Sequence, residues 1–125
     1  HHLDVRTARY NPAGALAADA VRFPAADADV DVLYAASLFT HLYPRDAAAY
    51  LRETRRVLRD GGTALASFHD RPAAGEAFSG DEHRADYDAA HFSALCAQAG
   101  LDLAEDVGDV CGQRTFVLRK EAVAE

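Results

Sequence analysis

Asp31-Val-Leu-Tyr-Ala-Ala-Ser-Leu-Phe-Thr-His-Leu42, followed closely by Arg52-Glu-Thr-Arg-Arg-Val-Leu-Arg-Asp-Gly-Gly62, decides how this chain is read. The first stretch opens on β-branched, aliphatic and aromatic residues and ends in a small polar residue and a histidine. The near-continuous apolar run over residues 30–36 predicts a strand buried on both faces, the pattern of a parallel sheet. The second stretch is the end of an amphipathic helix, and Gly61-Gly62 is expected to stop it, since glycine adopts the left-handed cap conformation at little cost. A buried strand, a helix and a further strand make one unit of an open α/β sheet. Ligands of such sheets sit at the carboxyl ends of the strands, where Ser37 and His41 fall.

The same reasoning extends in both directions. Pro44 and Asp46 open the helix, proline because it suits the first turn and the acid because it meets the positive end of the helix dipole. Ala47, Tyr50, Leu51, Thr54, Val57 and Leu58 recur at three- and four-residue spacing and form one buried stripe. Residues 63–68 read as a second strand. Residues 70–86 show no period and read as a long surface loop. Asp88 is expected to cap a second helix whose apolar face is Phe92, Leu95, Cys96 and Ala99, ended by Gly100. Residues 101–107 and 115–118 then form a closing antiparallel pair around a turn at 109–112. Upstream, Leu3-Asp-Val5 reads as the tail of a strand, Asn11-Pro12-Ala-Gly14 as a turn, and residues 13–20 as a short helix.

Composition narrows the function classes. With 125 residues, half of them hydrophobic, the chain can bury a core. A net charge of −7 argues against nucleic acid, which needs a basic stripe. Arg52, Arg55, Arg56 and Arg59 are the nearest thing to a basic patch, and beside Glu53 they read as a solvated helix face. No apolar run approaches the ~20 residues of a membrane helix, and the start carries no signal-peptide pattern. The two cysteines, Cys96 and Cys111, lack metal-ligand spacing. A cytoplasmic protein with reduced thiols, no membrane and no metal is the expectation.

Taken together, residues 31–42, the Glu53…Arg56-Val-Leu…Gly61-Gly62 signature and the helix-Gly100-Leu101 unit with two closing strands resemble class I S-adenosylmethionine-dependent methyltransferases. Tyr10-Asn11-Pro12…Gly14 and Phe23-Pro24, with Ser37-Leu-Phe-Thr-His-Leu42, are similar to one bacterial subgroup. The resemblance implies an α/β fold: a partial Rossmann-like sheet, mostly parallel, with an antiparallel C-terminal strand pair. It covers residues 1–120 as a single domain, with residues 121–125 as a tail. The segment ending at Asp4-Val5 would be the family's third strand, residues 30–36 its fourth and residues 63–68 its fifth. The family's first strand, its Gly-x-Gly turn and the acid ending its second strand have no counterpart in these residues, so the domain reads as N-terminally truncated and as the acceptor side of the site. Strand 30–36 would then be an edge, covered by the Leu3 segment, by another copy or partner, or left open at a cost in stability.

The resemblance also implies site residues. Asp4 would accept a hydrogen bond from the adenine amino group, with the Val5 backbone against the ring edge. Ala36, Ser37 and Leu38 would lie against the methionine part of the cofactor, S-adenosylmethionine. Tyr10 and Asn11 would line the pocket of a small-molecule methyl acceptor, or simply form a turn. His41 is either a general base for an acceptor proton, a task histidine suits at neutral pH, or a polar residue capping the strand–helix loop. His69-Asp70 falls near the same pocket, but no ligand spacing supports a metal there. Ser37 lacks the Gly-x-Ser-x-Gly elbow of a nucleophile. Two functions follow: methyl transfer to a small molecule, or a non-catalytic module that works through its open strand edge.

Overall fold

The computed structural model describes residues 5–6, 16–17, 22–81 and 83–120. β1 (Val5–Arg6) and β2 (Leu16–Ala17) form a small parallel pair of their own. Leu16–Ala17 is therefore extended where residues 13–20 were expected to be helical. β1 lines β2 and not strand 30–36, so the Leu3 segment does not supply that strand's missing neighbour among the described residues.

The main sheet carries β3 (Val30–Ala35), β4 (Leu58–Phe68), β7 (Asp102–Val110) and β8 (Gln113–Arg119) in the order β3-β4-β8-β7. β3 and β4 are parallel, and β8 is antiparallel to both β4 and β7. β3, β4 and β7 thus share a direction and β8 alone opposes it, as the resemblance implied. β3 passes to β4 through α1 (Pro44–Val57), and α2 (Ala89–Gln98) precedes the closing pair. The predicted stripe of α1 is buried, including Ala47, Tyr50, Leu51, Thr54 and Val57. Asp88 caps α2, its carboxylate accepting from the His91 N–H, and Gly100 closes it in a left-handed conformation.

The core lies between these helices and one face of the sheet. Ala64, Ala66 and Phe68 of β4 and Phe116 and Leu118 of β8 meet Leu51, Phe92 and Cys96. Phe92 stacks on Phe68 at 4.2 Å between ring centroids, and Phe116 meets Phe68 edge-on at 5.0 Å. Each such ring pair adds about 0.5–1.5 kcal/mol to the burial of its area. The opposite face is different. Val32 and Tyr34 are 62% and 73% exposed, which overturns the expectation that residues 30–36 are buried on both faces. Both described helices pack on the other side, so nothing described shields these two side chains.

Three further departures from the sequence reading have physical causes. α1 ends at Val57, before the double glycine, and Leu58 is already extended. Gly61 and Gly62 instead sit within β4, where the register with β3 jumps from Val30 opposite Leu58 to Val32 opposite Thr63. A Cβ on Gly62 would lie 2.8 Å from the Arg59 carbonyl oxygen and 3.2 Å from that of Val30, so only glycine fits the irregularity. Residues 70–86 are not all loop. β5 (Phe78–Gly80) and β6 (Ala85–Tyr87) form a hairpin whose Tyr87 is fully buried.

Arg56 is not a solvated charge. Its guanidinium binds Glu53 at 2.7 Å, Asp27 at 2.8 Å and the carbonyls of Phe23 and Ala25 at 2.9 Å, fastening the segment before β3 to α1. Glu53 in turn accepts the Phe23 N–H at 2.6 Å. The Arg56 hydrogen bond, and after it that of Phe23, holds the Glu53 carboxyl below its ordinary value against the opposing effect of burial.

Two outcomes follow from this packing. Gly62→Ala is expected to destabilise the domain by about 1–3 kcal/mol, read as a lower urea midpoint at unchanged slope, and an unmoved midpoint would contradict the backbone contact. Glu53, with its folded pKa depressed, contributes stability that is fully present above its ordinary value of 4.5 and is lost as pH falls through the lowered folded value. Glu53→Gln should therefore cost about 1–2 kcal/mol at neutral pH and show a flatter acid limb than the unaltered chain. Parallel stability–pH curves for the two would refute the pairing.

Candidate functional site

β3 ends at Ala35, and the chain then turns sharply at the carboxyl end of the sheet. Ala36 and Ser37 are exposed there, and Ser37 takes φ +59°, a left-handed conformation that few residues other than glycine adopt. Leu38 leads into a short 3-10 turn, Phe39–His41, and Leu42 returns to extended backbone before α1. Phe39 and Leu42 anchor this segment in the core. From the hairpin side, the Tyr87 hydroxyl donates to the Leu42 carbonyl at 2.5 Å, and its N–H donates to the His69 carbonyl at 2.8 Å.

The Ser37 turn is tied to three other places in the chain. Its N–H donates to Ser67 Oγ at 2.9 Å. The Ser67 hydroxyl donates to Gln113 Oε1 at 2.8 Å, and Gln113 Nε2 donates back to Ser37 Oγ at 2.8 Å. The Thr40 hydroxyl donates to the Ser37 carbonyl at 2.6 Å. β4 supplies Ser67 at its penultimate position and β8 supplies Gln113 at its first, so both side chains reach the end of β3 from neighbouring strands.

Beside this turn lies a polar rim. Arg114, next to Gln113, binds Asp106 of β7 and reaches Asp70 at 3.3 Å; the Asp106 carboxyl is held below its ordinary range chiefly by that guanidinium. Asp70, Arg71, Arg84, Asp109 and Gly112 border a cleft of about 180 Å³. A wider one of about 500 Å³ runs along residues 70–77 to Asp88. His69 follows β4 directly, with its Nδ1 buried and without a hydrogen-bond partner among the described residues. Cys96 is no candidate nucleophile: burial pushes its thiol up to about 12, so it remains a neutral core group. Among the described residues no three His, Cys, Asp or Glu side chains gather closely enough to hold a metal ion.

The structure thus brings Ala36, Ser37 and Leu38 together at the strand end, with His41 half-buried at the close of the following turn. Val5 is described only through its backbone, in β1. Asp4, Tyr10 and Asn11 lie outside the described residues. Ser67, Gln113 and Tyr87 were not singled out from the sequence. The signal for Ser67 was its place at the end of a predicted strand, whereas Gln113, 76 residues from Ser37, carried none.

Ala36 and Ser37 are small and exposed at a carboxyl strand end, which leaves room there for the methionine part of S-adenosylmethionine.

Comparison with known proteins identifies the family. Residues 2–66 match the family model described as a methyltransferase domain. Among solved structures, the chain is similar to a 1,6-didemethyltoxoflavin-N1-methyltransferase from Burkholderia thailandensis with bound 1,6-didemethyltoxoflavin and S-adenosylhomocysteine. The TM-score is 0.65 at 15% identity, over 84% of this chain and 48% of that one. It is similar to a TehB-like methyltransferase from Corynebacterium glutamicum, with TM-score 0.61 and 18% identity over 84% and 54%. It is also similar to the Haloferax volcanii complex of the Trm112 methyltransferase activator with a putative methyltransferase, with TM-score 0.62 and 17% identity over 80% and 58%. The chain spans about half the length of these structures. With the matched family model and the shared fold, the chain belongs to the class I S-adenosylmethionine-dependent methyltransferases.

Proposed function

We propose that this chain forms the acceptor side of an enzyme that moves a methyl group from S-adenosylmethionine to a small molecule. The observation that carries the reading is the left-handed Ser37 turn at the carboxyl end of β3, in a chain of this family. The Burkholderia enzyme, whose substrate is a small molecule, supports the acceptor class by likeness of fold. A cytoplasmic location belongs to the same proposal and rests on the unpaired cysteines Cys96 and Cys111.

The cofactor, when bound, supplies an electrophilic methyl group on a sulfonium. The residues of this chain have the task of alignment. The backbone of residues 36–38 would meet the methionine end, and the buried Phe39 and Leu42 make the turn that carries them rigid. Asp4 and Val5 are assigned to the adenine, and Tyr10 and Asn11 to the acceptor. The clefts bordered by Asp70 and Arg71 extend that acceptor side. Holding two reactants in line accounts for a large part of such a rate enhancement without any base. Where the acceptor must lose a proton, His41 takes it.

A second reading has its own observation. Val32 and Tyr34 are exposed on a strand whose outer edge has no partner among the described residues. A methyltransferase-like module could bind a protein, or a second copy of itself, along that edge. The archaeal complex with an activator is an instance of partner binding by a protein of this fold.

Titration calorimetry with S-adenosylhomocysteine separates the two. A dissociation constant near about 1 μM, or −8 kcal/mol, is expected for the enzyme. No binding by the chain alone or within its full-length gene product, with a protein partner captured by edge β3, would favour the module. His41→Ala is expected to lower turnover by about 10²–10⁴-fold, and unchanged turnover would remove His41 from the mechanism.

A further inference from the structure

We propose that Ser67 and Gln113 are positioning residues: they clamp the Ser37 turn in its left-handed conformation and so set where the backbone of residues 36–38 meets the cofactor. The inference rests on the methyltransferase reading for its consequence, but the clamp itself is a property of the described residues.

Serine at φ +59° is unfavourable without support, and outliers of this kind persist only where the surroundings hold them. Here each polar group of Ser37 is held by a different partner. The N–H is taken by Ser67 of β4, the hydroxyl by Gln113 of β8, and the carbonyl by Thr40 of the next turn. The Ser67 hydroxyl accepts from Ser37 and donates to Gln113, and the Gln113 amide donates back to Ser37, so the ring closes. Ser67 sits in the register of β4 with β8, opposite Thr115, and cannot move without disturbing that ladder. Gln113 begins β8 directly after the tight Cys111-Gly112 turn, where both residues have positive φ. The two anchors are therefore fixed by sheet pairing, and the strained residue hangs between them. A glycine at position 37 would adopt the same backbone with no anchor, which makes the role separable from mere stability.

The test uses amide hydrogen exchange of the chain together with calorimetry of S-adenosylhomocysteine. Ser67→Ala is expected to lower protection of the Ser37 amide and to weaken binding by about tenfold or more, while the amides of Phe68 and Val117 stay protected and report an intact sheet. Gln113→Met should weaken binding likewise. Ser67→Thr, which keeps the hydroxyl, should preserve both readouts. Adding Ser37→Gly to Ser67→Ala should recover binding, because glycine needs no clamp; a purely structural role for Ser67 predicts no recovery. Unchanged Ser37 protection in Ser67→Ala, or binding unmoved by both single changes, would overturn the proposal. Should the unaltered chain bind no S-adenosylhomocysteine, the exchange of the Ser37 amide would still uphold or overturn the clamp.

Discussion

β4 is paired along both edges, parallel to β3 and antiparallel to β8, and almost every other feature takes its position from that double ladder. Its alternation sends Ala64, Ala66 and Phe68 into the core and Ser67 to the end of the site. Phe68 stacks on Phe92 and so seats α2. Ser67 reaches across to the turn after β3 and to the start of β8. A slip of one residue in the ladder would exchange these faces, placing Ser67 in the aromatic core and Phe68 in the site. The parallel half of the ladder also demands a crossover, and α1 provides it with a buried stripe that fits over the same face.

The elements with a full hydrophobic period were legible in the sequence. α2 and the start of α1 fall where spacing and caps placed them, and the closing antiparallel pair is present but runs further into the expected turn, over Asp102–Val110 and Gln113–Arg119. The family resemblance likewise rested on the order of elements, which the sheet reproduces. What failed was local chemistry with two physical uses. A double glycine permits a helix cap and a strand irregularity equally, and here the close approach of the Val30 and Arg59 carbonyls decides for the second. Arg56 lies on a helix face that looked solvated, but the segment before β3 folds over it, a tertiary event with no local signature. β5 and β6 are three residues each, too short for a period to show. At the site, the strand end and Ser37 were readable, whereas the support for Ser37 comes from residues 30 and 76 positions away.

The two faces of the sheet have unequal fates. One is filled by aromatic rings and aliphatic side chains from both helices. On the other, Val32 and Tyr34 stand largely in solvent on an edge strand, an arrangement that soluble domains usually blunt or cover. Asp31 on the same strand is paired with Arg59, so charge is present beside the exposed apolar pair. Edge, apolar face and site all meet on β3, and contact along that strand would be felt at Ser37 two residues beyond its end.

The hairpin turn between β7 and β8 has a practical consequence. Of the two thiols, Cys96 is sealed in the core and held in its neutral form, while Cys111 is exposed at the tip of the turn. A maleimide dye at neutral pH would therefore attach at one place only, two residues from Gln113. The native chain thus carries its own fluorescent reporter position beside the site, and ligand occupancy can be followed by emission without introducing or deleting a cysteine.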